Sequence, residues 1–262
     1  MTPLAQRIRS AGLDWIVPEW ATPASVGALV TTRAGGVSHG AFASMNLSTA
    51  VGDDPEAVSE NRRRLSSFLP APPRWLTQVH GTEVAVLGAH ADPKSPVADA
   101  AVTRERGVVC AVLVADCLPV FLADRDGTAV GIAHAGWRGL AAGVIEQTVG
   151  AMANLGARSD RLVAWLGPSI GAAAFEVGAE VRAAFLAHDP EADAHFAAGA
   201  ADKWHADLRA LARRRLAARG VITVAANDEC TRTGRDRFYS WRRDHGGGRV
   251  AALVWIAPDA GS

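Results

Sequence analysis

His80 in LTQVHG, Cys117 in VADCLPV and His134 in IAHAGWRG each stand where an apolar run stops. Two imidazoles and one thiolate give three ligands, and a tetrahedral ion held by three protein ligands keeps one position open. That is the layout of a catalytic zinc site rather than a closed structural one. The same side chains also suit metal-free thiol chemistry, with Cys117 as nucleophile and His134 or His80 as base.

Each ligand candidate has a plain structural reading beside the chemical one. A cysteine inside an apolar run is normally an inert packing residue, and Cys110 in VVCAVLV fits that description. Cys117 does not, because it follows Asp116 and precedes Pro119, which interrupt the run. Along a continuous strand the two thiols, at positions 110 and 117, would also face opposite sides. His134 closes the strand AVGIA ahead of a glycine-rich turn, AGWRG, that opens a helix. Such strand-to-helix turns sit at the carboxyl edge of a sheet, where ligands bind, and Arg138 adds a positive charge there. Gln78 shares the face of His80 on a short strand and makes a polar pair at its end. His39, His90, His188, His195, His205 and His245 stand in polar or helical surroundings and read as surface residues.

Further signals are TTRAGGVSHG, with Arg33 beside a Gly-Gly turn, SMNLS, with Asn46, and DECTRTGRDRFYSWRRD. The last sets Arg232, Arg235, Arg237, Arg242 and Arg243 among Phe238, Tyr239 and Trp241. Arginines beside aromatic rings can stack a base and hold a phosphate.

The chain that must position these residues has 262 of them, with 49% hydrophobic and 21% charged content, as expected of a globular protein. Its 27 basic and 27 acidic residues cancel. A nucleic-acid-binding protein would usually carry a basic excess, so no nucleic-acid partner is expected, and nucleic-acid binding stays only as the alternative reading of the arginine- and aromatic-rich segment. Three cysteines without a CxxC pair point to a reducing compartment. No run reaches the roughly 18 apolar residues of a membrane span, and MTPLAQRIRSAGLDW lacks a signal-peptide core, so a cytoplasmic protein is expected.

No repeat, low-complexity tract or linker divides residues 1–262, which are expected to form one domain. Apolar, β-branched runs predict strands at Gly27–Thr32, Trp75–Val79, Glu83–Leu87, Val108–Ala115, Val120–Ala123, Val130–Ala133, Leu162–Leu166, Val221–Ala225 and Val250–Trp255. Asp54-Pro55 reads as a helix start, followed by Val58, Leu65 and Leu69 at helical spacing. Leu140 to Leu155, Glu176–Ala187 and Lys203–Arg219 read as further helices, and Gly88–Val97 and His188–Asp202 as loops. The elements are mixed without strict alternation, which predicts an α/β domain with a mixed sheet.

TTRAGGVS, WLTQVHGTEV, ADAAVTRERGVVCAVLVADCLPV, GIAHAGWRGLAAGVIE, AWLGPSIGAAAFEVGAEV, CTRTGRDRFYSWRRD and GRVAALVWI occur in this order. Through them the chain resembles the laccase-domain proteins of the YfiH purine nucleoside phosphorylase type, once called multicopper polyphenol oxidases. The resemblance spans about residues 26–257. Tyr239-Ser240-Trp241 stands where relatives often have Phe-Ser-Tyr. The resemblance implies a mixed-sheet sandwich flanked by helices, in an α/β/β/α arrangement like that of cysteine hydrolases. It further implies zinc at His80, Cys117 and His134, phosphorolysis of adenosine, inosine and S-methyl-5'-thioadenosine, and deamination of adenosine. In that setting Arg33, Asn46, Gln78, Arg138 and Arg237 are candidate substrate or phosphate contacts. Asp116 is a candidate to orient a ligand imidazole, to act as a base, or to serve as a buried structural acid.

Three other readings compete. A coupled multicopper cluster needs many imidazoles, usually as H-x-H pairs, and this chain has 8 histidines and no such pair. A single copper in the same three-ligand site remains open, since copper(II) outcompetes zinc for such ligands. A cysteine hydrolase editing peptidoglycan precursors would use Cys117 and one histidine without metal. A non-catalytic nucleotide-binding module leaves the His/Cys/His coincidence unexplained.

Overall fold

The β-branched runs fold as strands of two stacked sheets, described here from a computed structural model of residues 2–90 and 94–259. In chain order the elements are α1 (Pro3–Ser10), β1 (Val26–Val30), α2 (Pro55–Ser66), β2 (Val84–Val86), β3 (Ala100–Thr103), β4 (Val109–Val114), β5 (Leu118–Asp124) and β6 (Val130–Ala135). They continue with α3 (Trp137–Ala142), α4 (Val144–Asn154), β7 (Leu162–Leu166), β8 (Glu176–Val177), α5 (Ala179–Leu186), β9 (Phe196–Ala198) and β10 (Trp204–Ala206). The last are α6 (Leu208–Ala218), β11 (Thr223–Ala226), α7 (Trp241–Asp244) and β12 (Val250–Ile256).

A six-stranded mixed sheet runs β11-β7-β5-β6-β3-β2, and a three-stranded antiparallel sheet runs β1-β12-β4. Side chains alternate across each strand, and both faces of both sheets are covered, which is why the strands read as unbroken apolar runs. Phe121, Ile132 and Trp165 point from the large sheet toward Val30, Val112 and Val254 of the small one. Leu118, Val120 and Leu122 point the other way, onto Ile145, Val149 and Leu211 of the helices α4 and α6. On the outer face of the small sheet, Leu29, Ala111 and Leu253 pack against Ile8 of α1 and Leu65 of α2. The expected α/β/β/α sandwich is thus formed. Among the described residues no helix is long and apolar enough to cross a membrane.

Several local expectations are corrected. Trp75–Val79 is no strand; it makes one isolated bridge, Thr77 with Val97, and Arg74 just before it makes another with Cys110. There the Gln78 side-chain amide replaces the ladder, donating to Leu113 O at 2.9 Å and accepting from Leu113 N at 2.8 Å. The helix expected over 140–155 is two helices, α3 and α4, broken at Gly143, whose φ of 104° only glycine adopts readily. Glu176-Val177 is a strand and α5 begins at Ala179. Trp204–Ala206 pairs with β8 and β9 in a small third sheet, so the predicted helix begins only after Asp207, whose side chain caps α6. The loop expected at His188–Asp202 contains a short helical turn, Pro190–His195, and β9. Helix α1 was not foreseen. Positions 91–93 of the expected loop Gly88–Val97 lie outside the described residues.

Candidate metal centre

Cys117 owes its position to the point where the chain leaves one sheet for the other. The two strands expected at Val108–Ala115 and Val120–Ala123 are β4, in the small sheet, and β5, in the large one. Asp116 turns the chain between them with φ of 85°. Its carboxylate accepts hydrogen bonds from Thr231 Oγ1 (2.6 Å), Ser240 Oγ (3.0 Å) and the Arg242 amide (2.8 Å), and its carbonyl accepts from the Ile170 amide. These contacts hold an unfavourable backbone conformation in place. No imidazole is among the partners of Asp116. Pro119 does not end the strand; it lies within β5, opposite His134 on β6.

A residue that sequence reasoning missed organises the other two ligands. Asp99 is fully buried and its Oδ1 sits 2.8 Å from His134 Nδ1. The same carboxylate accepts from the amides of Val79 (3.0 Å), His80 (3.0 Å) and Gly81 (2.7 Å), fixing the His80 turn at φ of 60°. With Nδ1 donating to Asp99, His134 presents Nε2 to the site, the carboxylate–histidine arrangement common behind metal ligands. A lone acid in the apolar segment VADAAV was the available signal, since a buried carboxylate must find partners.

The ligand atoms of His80, Cys117 and His134 all lie within 4.8 Å of one another, and Cys117 Sγ is 3.8 Å from His80 Nε2. His80 is exposed, Cys117 is half-buried and His134 is buried. Burial pushes the Cys117 thiol up, but the His134 imidazolium and hydrogen bonds from both imidazoles outweigh it and bring it down to about 6. Burial pulls His134 down, and the Cys117 thiolate with the Asp99 carboxylate reverse this and raise it to about 9. The thiolate is the metal-binding form of cysteine. One sulfur and two imidazole nitrogens, one of them with its tautomer fixed, fit a zinc-class divalent ion.

Gly136 keeps the triangle tight. A Cβ there would fall 2.9 Å from His80 Cδ2 and 3.0 Å from Cys117 Sγ. Gly136→Ala is expected to push the exposed His80 ring aside and weaken metal binding at least about tenfold, while thermal unfolding stays cooperative. Competition against a chromogenic chelator measures this; wild-type affinity would show that the close approach does not matter.

The other predicted contacts are placed as follows. Asn46 is buried, and its amide is engaged by Ser48, Asp53 and the Arg249 amide. Gln78 is engaged by Leu113 as described, and Arg237 is clamped between Asp14 and Glu229. Arg33 donates to the carbonyls of Ala43 and Arg235 and stacks on Tyr239, 4.9 Å from its centroid. Arg138 is exposed and lies over Trp137 at 4.4 Å. His39, His90, His188 and His245 are exposed as expected, whereas His195 and His205 are half-buried.

A helix-flanked double sheet with a His/Cys/His triangle where the chain crosses between sheets defines the class. The chain belongs to the multi-copper polyphenol oxidoreductase laccase family, whose model matches residues 27–257. It is 51% identical over 244 residues to purine nucleoside phosphorylase PA4543 of Pseudomonas aeruginosa, covering 92% of this chain and 98% of that protein. Purine nucleoside phosphorylase YfiH of Escherichia coli is 48% identical, with 92% and 98% covered. The crystal structure of Neisseria meningitidis protein NMB0706 matches with a TM-score of 0.89 at 46% identity, covering 94% of this chain and 100% of that one.

Proposed function

We propose that this chain is a zinc-dependent purine nucleoside phosphorylase. It splits adenosine, inosine and S-methyl-5'-thioadenosine with phosphate into free base and the ribose or methylthioribose 1-phosphate, and it also deaminates adenosine. The observation that carries this reading is the convergence of His80, Cys117 and His134 within 4.8 Å. Relatives named purine nucleoside phosphorylase, about half identical along nearly the whole chain, support it.

A zinc ion held by His80, Cys117 and His134 would supply Lewis acidity. The residues of the chain do the rest. Asp99 holds His134 in one tautomer and fixes the turn that carries His80, so the ligands are arranged before anything binds. Cys117 contributes a thiolate at neutral pH, which offsets part of the ion's charge. His80, the exposed member of the group, leaves the site open to solvent and so to a nucleoside. In phosphorolysis an oxygen of hydrogen phosphate bonds to C1' as the bond from C1' to N9 breaks, and the phosphate's proton passes to the leaving base. We assign zinc as the resident ion, although the ligands also suit copper(II). The unpaired cysteines Cys110, Cys117 and Cys230 fit a cytoplasmic, reducing setting.

One observation favours a second reading. Cys117, His134 and Asp99 also stand in the order nucleophile, base and orienting acid, the layout of a thiol hydrolase. Phosphate dependence separates the two. Purified enzyme given adenosine is expected to release adenine only when phosphate is present, with inosine alongside from deamination. Indifference of every nucleoside to phosphate, with thiol-dependent cleavage of a cell-wall precursor surviving chelation, would favour the hydrolase.

A further inference from the structure

Asp116 ties a second group of residues to the Cys117 turn. Ser240 Oγ and the Arg242 amide both donate to its carboxylate, at 3.0 and 2.8 Å, so Trp241 between them is pinned at the start of α7. The Trp241 indole is nevertheless 51% exposed. Its ring is backed by Arg249, whose guanidinium carbon lies 5.7 Å from the centroid.

Arg249 differs from the arginines that are held by carboxylates. Arg237 sits between two carboxylates, Arg215 pairs with Glu146 and Arg243 with Asp244. Arg249 is half-buried, and its Nη1 donates only to the carbonyls of Gly247 (3.0 Å) and Gly248 (2.9 Å). Among the described residues, Nε and Nη2 have no hydrogen-bond acceptor, and Arg249 joins no ion pair. Arg249 directly precedes Val250, which pairs with Val114 on β4, so it stands level with the chain leading into the Asp116-Cys117 turn. A half-buried guanidinium with two donors unused, near the turn that carries Cys117, is suited to an anionic ligand. An exposed indole next to it offers a face on which a purine can stack.

We propose that Arg249 binds the phosphate co-substrate and that Trp241 carries the purine base, an assignment that rests on the phosphorylase reading above. The sequence drew attention to Arg33, Arg138 and Arg237, but Arg249 follows the uninformative run Gly246-Gly247-Gly248. Its neighbourhood with Cys117 emerges only in the fold.

The test is steady-state phosphorolysis of adenosine by the zinc-loaded enzyme, with phosphate and adenosine varied separately. Arg249→Lys keeps a charge but loses the planar fork, and is expected to raise KM for phosphate at least about tenfold, with KM for adenosine within about twofold. Trp241→Ala is expected to raise KM for adenosine at least about fivefold, and Trp241→Phe to restore most of it. A merely structural role would lower the melting temperature and leave both KM values in place. Trp241, half-exposed, carries the test where Arg249→Lys melts early. Unchanged KM values in variants of an active enzyme overturn the assignment and leave the phosphorylase reading standing. A wild-type enzyme that releases no adenine with phosphate overturns both.

Discussion

Cys117→Ala is expected to purify with almost no zinc and to lose phosphorolysis and deamination together, by at least about a thousandfold, or about 4 kcal/mol of barrier. The reason is geometric. Cys117 is the only sulfur in the triangle, and the two imidazoles left behind cannot hold an ion as three ligands do. The fold should survive, because Cys117 is half-buried at a turn whose conformation is set by Asp116 and its partners. Cys110→Ala provides the contrast. That thiol is fully buried between the sheets, where burial pushes it up to about 12, and it should cost some stability but no zinc. Elemental analysis and activity, measured on both variants, check the pair. Full activity in Cys117→Ala would remove the metal assignment.

The second large effect lies at Asp99. Replacing it by Ala leaves the amides of Val79, His80 and Gly81 and the His134 imidazole without their common acceptor. Removing one partner from such a buried charged network costs about 3–5 kcal/mol, a fall in melting temperature of roughly 10 °C. Asp99→Asn keeps the volume but turns an NH2 group toward amides that need an acceptor. It is expected to fold with a lowered melting temperature and to bind zinc about 10- to 100-fold more weakly. Calorimetry and metal competition separate the two losses. Wild-type zinc affinity in Asp99→Asn would mean that the His134 tautomer is not set by this carboxylate.

The three candidate ligands that the fold brings together were legible in the sequence because each is a polar residue that ends an apolar run. The fold makes those run-ends converge where the chain passes from β4 to β5 and from β6 to α3. The sandwich was legible because strands covered on both faces read as unbroken apolar runs. What escaped was whatever depends on a partner far away in the chain. Asp99 has no spacing relation to His80 or His134 that a pattern could detect. Trp75–Val79 has strand composition, yet the Gln78 side chain takes over the pairing with Leu113. Gly143 breaks the helix expected over 140–155 by adopting a left-handed conformation amid an otherwise continuous apolar stripe. Trp204–Ala206 suits either element, and pairing with β8 and β9 decides it.

The family's description as multi-copper oxidoreductases finds no support in the ligand inventory. The described residues contain one His/Cys/His group. The half-buried His195 and His205 stand on or beside the small third sheet, apart from that group. One ion per chain is therefore expected.

The most direct measurement is adenine release from adenosine and phosphate by one preparation in three states: as purified, stripped with a chelator, and resupplied with one equivalent of zinc. Loss on stripping and recovery on resupply, with no adenine in the absence of phosphate, is the predicted result. Undiminished turnover in verified metal-free protein would contradict a metal role for His80, Cys117 and His134.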